Sequence, residues 1–215
     1  MTSYSHSRTL PRLARLLVVL ALLLLAACPG GHVDLTLKNG DIVFQKNQSA
    51  QGRLMEAATG SPISHVGMIF VVTGEPLVLE AVQPMRLIPF RDWMAQGAEE
   101  RYVVKRLKDR DKTLTPVTVS RMRDAANDLL DTNYDLAFNW SDDAMYASEL
   151  IWKLYERYLG VALTTPQRLG DLRLDDPTLA RALKTAYGDA PPLDMPVVTP
   201  AALYKSPLLE TITGE

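Results

Sequence analysis

Two apolar runs separated by four turn-forming residues set the strongest constraint on this chain. His65 to Val72 and Leu77 to Val82 each have the length and composition of a strand. Thr73-Gly74-Glu75-Pro76 between them is far too short for a parallel crossover, so the pair must run antiparallel. Other short runs extend the pattern. Asn39-Gly40-Asp41 is a turn ahead of the β-rich Ile42-Val43-Phe44-Gln45, and Arg86 to Phe90 and Tyr102 to Leu107 read as further strands. Strands in succession with short turns predict a mainly antiparallel sheet.

Helical spacing appears between and after these strands. Ser49 to Ala58 has Leu54, Ala57 and Ala58 on one face and is closed by Thr59-Gly60-Ser61-Pro62, and a short helix is predicted around Arg91 to Gln96. Pro116 opens a helix carrying Val119, Met122, Ala126, Leu129 and Leu130 on one side, running to Asp131. In Ala147 to Leu159, the residues Leu150, Ile151, Leu154, Tyr155 and Tyr158 form one stripe, which predicts a well-buried helix. Asp142-Asp143, just ahead of it, read as an N-cap and charges matched to the helix dipole. Trp93, Trp140 and Trp152 read as core or groove walls. Beyond Gly160 the chain is rich in Pro and Asp with few periodic segments, consistent with a tail that wraps the domain; its residues suggest no chemistry. The fold class is therefore α+β, a mainly antiparallel sheet packed against helices.

The N-terminus carries a different signal. Arg8, Arg12 and Arg15 precede an uninterrupted apolar run from Leu16 to Leu25. A membrane-spanning helix needs roughly 20 apolar residues, about twice this run. Leu25-Ala26-Ala27-Cys28 resembles the bacterial lipobox, in which cleavage leaves the lipidated Cys as the first residue. That resemblance divides the chain into a signal peptide over residues 1–27, a lipidated Cys28 with a tether over 28–38, and a domain over 39–215. Two or more acyl chains on Cys28 would hold the domain firmly to a membrane, as each buried methylene adds about 0.8 kcal/mol. Pro29, in place of Asp, implies by the same resemblance the outer membrane, facing the periplasm.

Composition narrows the chemistry. Lys and Arg number 23 against 25 Asp and Glu, so no basic excess points to nucleic acid. With Cys28 lipidated, the remaining chain has no thiol for a disulfide or thiolate metal site. Its histidines are His32, in the tether, and His65, too few for an imidazole-built zinc site. Neither a metal nor a cofactor is expected.

Three segments together are similar to the YiiX/YebB group of circularly permuted papain-like hydrolases, relatives of the NlpC-type cell-wall peptidases and of the lecithin:retinol acyltransferase group. They are Asn39 to Gln45, Ser64-His65-Val66-Gly67-Met68 with Glu80-Ala81, and Trp140 to Lys153. The resemblance implies a cysteine hydrolase in which His65 is the base and Glu80 orients it. The nucleophile would stand at the start of the helix beginning at residue 147, where the dipole and free amides favour a thiolate and an oxyanion. The substrate would be an amide or ester acyl group, from peptidoglycan stem peptides or membrane lipids, with Tyr146 and Ser148 as candidate groove residues.

The nucleophile position is Ala147, and a methyl group cannot attack a carbonyl. Two explanations remain: replacement of a catalytic Cys, which retention of His65, Glu80 and the surrounding motif favours, or a natural member that binds without cutting. Ser148 does not substitute, as one step along a helix turns a side chain by about 100°. The alternative function is thus a non-catalytic envelope lipoprotein holding a peptide or acyl ligand in the same groove.

Overall fold

The computed structural model describes residues 36–135 and 137–214, so the signal peptide, Cys28, Pro29 and His32 lie outside the described residues. Six strands form one antiparallel sheet: β1 (Ile42–Asn47), β2 (His65–Val72), β3 (Glu75–Glu80), β4 (Arg86–Pro89), β5 (Gly97–Leu107) and β8 (Leu209–Gly214), ordered β4-β3-β2-β1-β5-β8. The antiparallel expectation is met. The β2–β3 turn is tighter than predicted, however. Thr73 and Gly74 take φ of 49° and 87°, and Glu75 and Pro76 are already in β3, opposite Val72 and Val71. Two residues at positive φ match the right-handed twist of the strands they join.

The helices follow their capping residues. In α1 (Ala50–Thr59) the Ser49 hydroxyl accepts from Gly52 N–H at 3.0 Å, and Gly60 ends the helix in the left-handed conformation at φ 64°. The helix predicted near residue 91 is the one-turn α2 (Phe90–Met94), and α3 (Arg110–Thr113) is another short turn. Thr115 caps α4 (Pro116–Leu129), with Pro116 in its first turn. α5 (Ala147–Leu159) has the bounds its periodicity implies.

The segment beyond Gly160 is more ordered than a wrapping tail. It supplies α6 (Pro177–Tyr187), α7 (Pro200–Tyr204), a two-stranded ribbon of β6 (Gln167–Arg168) and β7 (Pro196–Val197), and the edge strand β8. The short β elements lack a readable period. Their pairing is decided by long-range contacts.

Residues Thr36–Glu215 form one unit with its own core. A large cluster joins the sheet to α4 and α5 through Ile42, Phe44, Met68, Met122, Leu150 and Ile151. A second packs Met55 and Ala58 of α1 against Phe138, Tyr146 and Leu179. At the domain entrance the fully buried Asp41 accepts from Arg106 through Nε at 2.6 Å and Nη2 at 2.7 Å, and Arg106 Nη2 also donates to the Thr36 carbonyl at 2.9 Å. This bidentate pair ties the first residues of the domain to β5.

Candidate active site

β2, β3 and the start of α5 bring the chemistry-bearing residues together. His65 opens β2 and Glu80 closes the neighbouring β3, so adjacent strands place them side by side although 15 residues separate them. His65 Nε2 lies 2.8 Å from Glu80 Oε2. Arg86, directly across from Glu80 on β4, donates from Nε to Oε1 at 2.8 Å. Burial alone would raise the Glu80 carboxyl, but His65 and Arg86 outweigh it and hold it below its ordinary value.

Around this pair the packing is tight. Fully buried Trp93 stacks on the imidazole, with ring centroids 5.9 Å apart and planes at 24°. Gly67 is required by the neighbouring strand: a Cβ there would overlap Val78 Cγ1 and stand 3.0 Å from the Leu79 carbonyl oxygen. Trp140 and Trp152 instead meet edge to face, 5.4 Å apart and away from the imidazole, and the ammonium of Lys153 stands 5.0 Å over the Trp140 ring.

Ala147, the first residue of α5, lines the same small cavity as His65, together with Ser64, Met55, Tyr134, Ser148 and Pro200. The N-cap residue is Tyr146, and no side chain caps the helix. Its first-turn amides are therefore left without side-chain acceptors beside Ala147. Asp142 and Asp143 do not serve as caps, contrary to expectation. Asp142 instead accepts from Lys153 at 2.9 Å and Arg157 at 2.6 Å, about two and three turns into α5, and these cations hold its carboxyl down to about 2.

Ser148 is buried, and its hydroxyl donates to the Val198 carbonyl at 2.8 Å. That bond spends its proton on the backbone. Tyr146 differs from the groove expectation: its ring packs edge-on against Phe138 in the second core, and its hydroxyl accepts from Val198 N–H at 3.1 Å. The approach to α7, with Val198 and Pro200, thus helps build the site, a contribution that no local pattern marks. Tyr134 was also missed. It lies in an irregular segment, bridged in parallel to Met145, and burial with nearby Asp135 and Glu149 raises its phenol.

Glu149, in the first turn of α5, is fully buried. Burial pushes its carboxyl up to about 7, although Lys153 Nζ stands 2.6 Å away in an ion pair without hydrogen-bond geometry. A larger cavity of about 210 Å³ between α4 and α5 is lined by Leu129, Met145, Lys153 and Arg157, without an imidazole. The residues implied by the sequence converge elsewhere, at His65 and Ala147.

The model of the permuted papain-like amidase family YaeF/YiiX, C92, matches residues 36–213. The chain belongs to this family. Uncharacterized protein YiiX of Escherichia coli K12 is 35% identical over 178 residues, covering 83% of this chain and 87% of YiiX. The crystal structure of metalloprotein YiiX from Escherichia coli O157:H7 superposes with a TM-score of 0.74 at 36% identity, covering 83% of this chain and 97% of that one. The α+β fold is accordingly the permuted papain-like fold of the YaeF/YiiX family, and family membership supports a hydrolase ancestry.

Proposed function

We propose that the cleft between β2 and α5 is a cysteine-hydrolase site for amide or ester acyl groups of the cell envelope, with Ala147 at the nucleophile position. The observation carrying this reading is the convergence of the Glu80-bound His65 and the first residue of α5 on one cavity. With Nε2 engaged by Glu80, Nδ1 is the nitrogen left to accept a proton from a nucleophile at 147. A Cys there would pass its proton to Nδ1 and attack the acyl carbonyl, and the first-turn amides of α5 would receive the oxyanion. The imidazolium would then protonate the leaving amine or alcohol, and water would release the acyl group from sulfur.

As the chain stands, Ala147 halts this sequence at substrate binding, which supports the second reading: a lipoprotein that holds a peptide or acyl ligand without cutting it. Attachment through Cys28 would place either activity in the envelope, with peptidoglycan peptides or lipid acyl groups in reach.

The metal in the description of the Escherichia coli O157:H7 relative does not fit the donors here. Among the described residues no three His, Cys, Asp or Glu side chains gather as a metal-binding group. The second oxygen of Glu80 already holds the Arg86 guanidinium. No step above passes through a metal.

The decisive experiment compares the chain with its Ala147→Cys and Ala147→Cys/His65→Ala variants on peptidoglycan stem peptides and short-chain acyl esters. Turnover only in Ala147→Cys supports the hydrolase site. Saturable binding by the unaltered chain with no turnover in Ala147→Cys favours the binding reading.

A further inference from the structure

At the end of β2 remote from His65, α3 and the start of α4 form a groove of about 430 Å³ lined by Asn39, Arg110, Leu114, Val119, Ser120 and Arg123. Its two guanidinium groups are held in place from behind. Arg110 Nε donates to the Asn39 carbonyl at 3.2 Å, and Arg123 Nη2 donates to the Val71 carbonyl at 3.2 Å and to Asn39 Oδ1 at 3.4 Å. Arg123 Nε has no partner. Between residues 105 and 124 the chain carries seven Lys and Arg against the three acids Asp109, Asp111 and Asp124, whereas its overall formal charge is −2. Arg106 is held by Asp41, and Arg110 and Lys112 pair with Asp111 and Asp109, which leaves Lys105, Lys108, Arg121 and Arg123 against Asp124. Beside Pro116 in the first turn of α4 stands Val117, 62% exposed and the most exposed large hydrophobic residue described.

We infer that this groove docks the domain on an anionic lipid surface, its guanidinium groups taking headgroup phosphates and Val117 reaching the interface. The choice of a membrane over a soluble anion rests on the lipid-anchor reading of Cys28 and on where the chain enters the fold. Thr36 is held by Arg106 and Asn39 lines the groove, so the entering chain runs along this face. Eight residue-to-residue steps separate Cys28 from Thr36 and span at most about 29 Å when fully extended. An anchored domain therefore keeps this face near the bilayer, where clustered cations and an apolar side chain are attracted to anionic headgroups. The consequence reaches the active site. His65 lies six residues along β2 from Val71, about 20 Å away, so docking turns the cleft away from the anchoring bilayer and toward the peptidoglycan.

The test uses the chain from residue 29 onward, which contains the whole Thr36–Glu215 unit and lacks the anchor. Sedimentation with phosphatidylcholine vesicles, with and without phosphatidylglycerol, should show binding only with the anionic lipid, weakening as salt rises. Lys112→Glu and Ser120→Glu, both at exposed positions, should each weaken it by about fivefold or more, while Lys184→Glu on α6 should leave it unchanged. Absence of phosphatidylglycerol-dependent binding, or equal weakening by Lys184→Glu, overturns the inference. So does binding of inorganic phosphate without vesicle binding. None of these readings involves Cys28, so failure of the anchor reading would be seen separately in fatty-acid labelling.

Discussion

His65 Nε2 and Glu80 Oε2 stand 2.8 Å apart at the facing ends of adjacent strands, and the carboxylate is fully buried. Its other oxygen is engaged by Arg86, so the imidazole is held from one side with its second nitrogen left over. If this is the base of a hydrolase, a thiol introduced at residue 147 should be activated. Ala147→Cys should react with iodoacetamide readily near neutral pH, well below the unperturbed thiol value of about 8.5. His65→Ala in that background should slow the reaction, and Ala147→Ser should give little activity, since a hydroxyl ionises far less easily. A thiol that titrates like free cysteine whatever stands at 65 would remove Ala147 from the nucleophile position.

Glu80→Gln should separate orientation from charge. Gln can still accept from an imidazole N–H but offers no counter-charge to an imidazolium. In the Ala147→Cys background the labelling profile should therefore move to higher pH. A shift of one unit moves the half-labelling point by one pH unit and lowers the thiolate fraction by up to about tenfold at pH values below it. An unmoved profile would make Glu80 a structural partner of Arg86 alone.

Glu149 should couple stability to pH in the opposite direction from a salt-bridged acid. Its carboxyl is raised from 4.5 to about 7, so between those values the folded state binds more protons than the unfolded chain. Stability from this group is full below 4.5 and is lost as pH rises through 7. Glu149→Gln should thus gain on the unaltered protein by up to about 3 kcal/mol across that window. Urea unfolding of both proteins at several pH values between 4 and 8 measures the difference, and a constant difference would contradict it.

Asp41→Ala should be among the more damaging substitutions in the sheet. It leaves the Arg106 guanidinium, whose side chain is only 14% exposed, without its carboxylate, at a cost of about 3–5 kcal/mol. A clear fall in the urea midpoint with an unchanged slope is expected, whereas a loss near that of an exposed pair would mean that water replaces the carboxylate.

Attachment is tested directly by growth of a diderm host with labelled fatty acid. The mature protein should carry the label, and Cys28→Ser should abolish it. Unlabelled, freely soluble periplasmic protein from the unaltered gene would refute lipidation.

Local signals were sufficient for much of this molecule. The apolar runs and turn residues determined β1, β2 and β3, and the tight turn after β2 left β2 and β3 only an antiparallel way to pair, whereas β1 reaches its antiparallel place beside β2 through α1. The 3.6-residue stripe from Leu150 to Tyr158 determined α5, including its first residue, because one helical face had to be buried. The motifs around His65, Glu80 and residue 147 were legible through their resemblance to the YiiX/YebB group, since a lone His in an apolar strand or an Ala opening a helix carries no chemistry by its period alone. Tertiary structure decided what depends on distant partners. Asp142 had the residue type and position of a cap, but Lys153 and Arg157 drew it to the side of α5. Tyr134, Val198 and Pro200 come from segments with no period of their own, and only packing brings them to the site. The strand after Ser206 joined the sheet through pairing with β5, a contact made across about a hundred residues that no local pattern encodes.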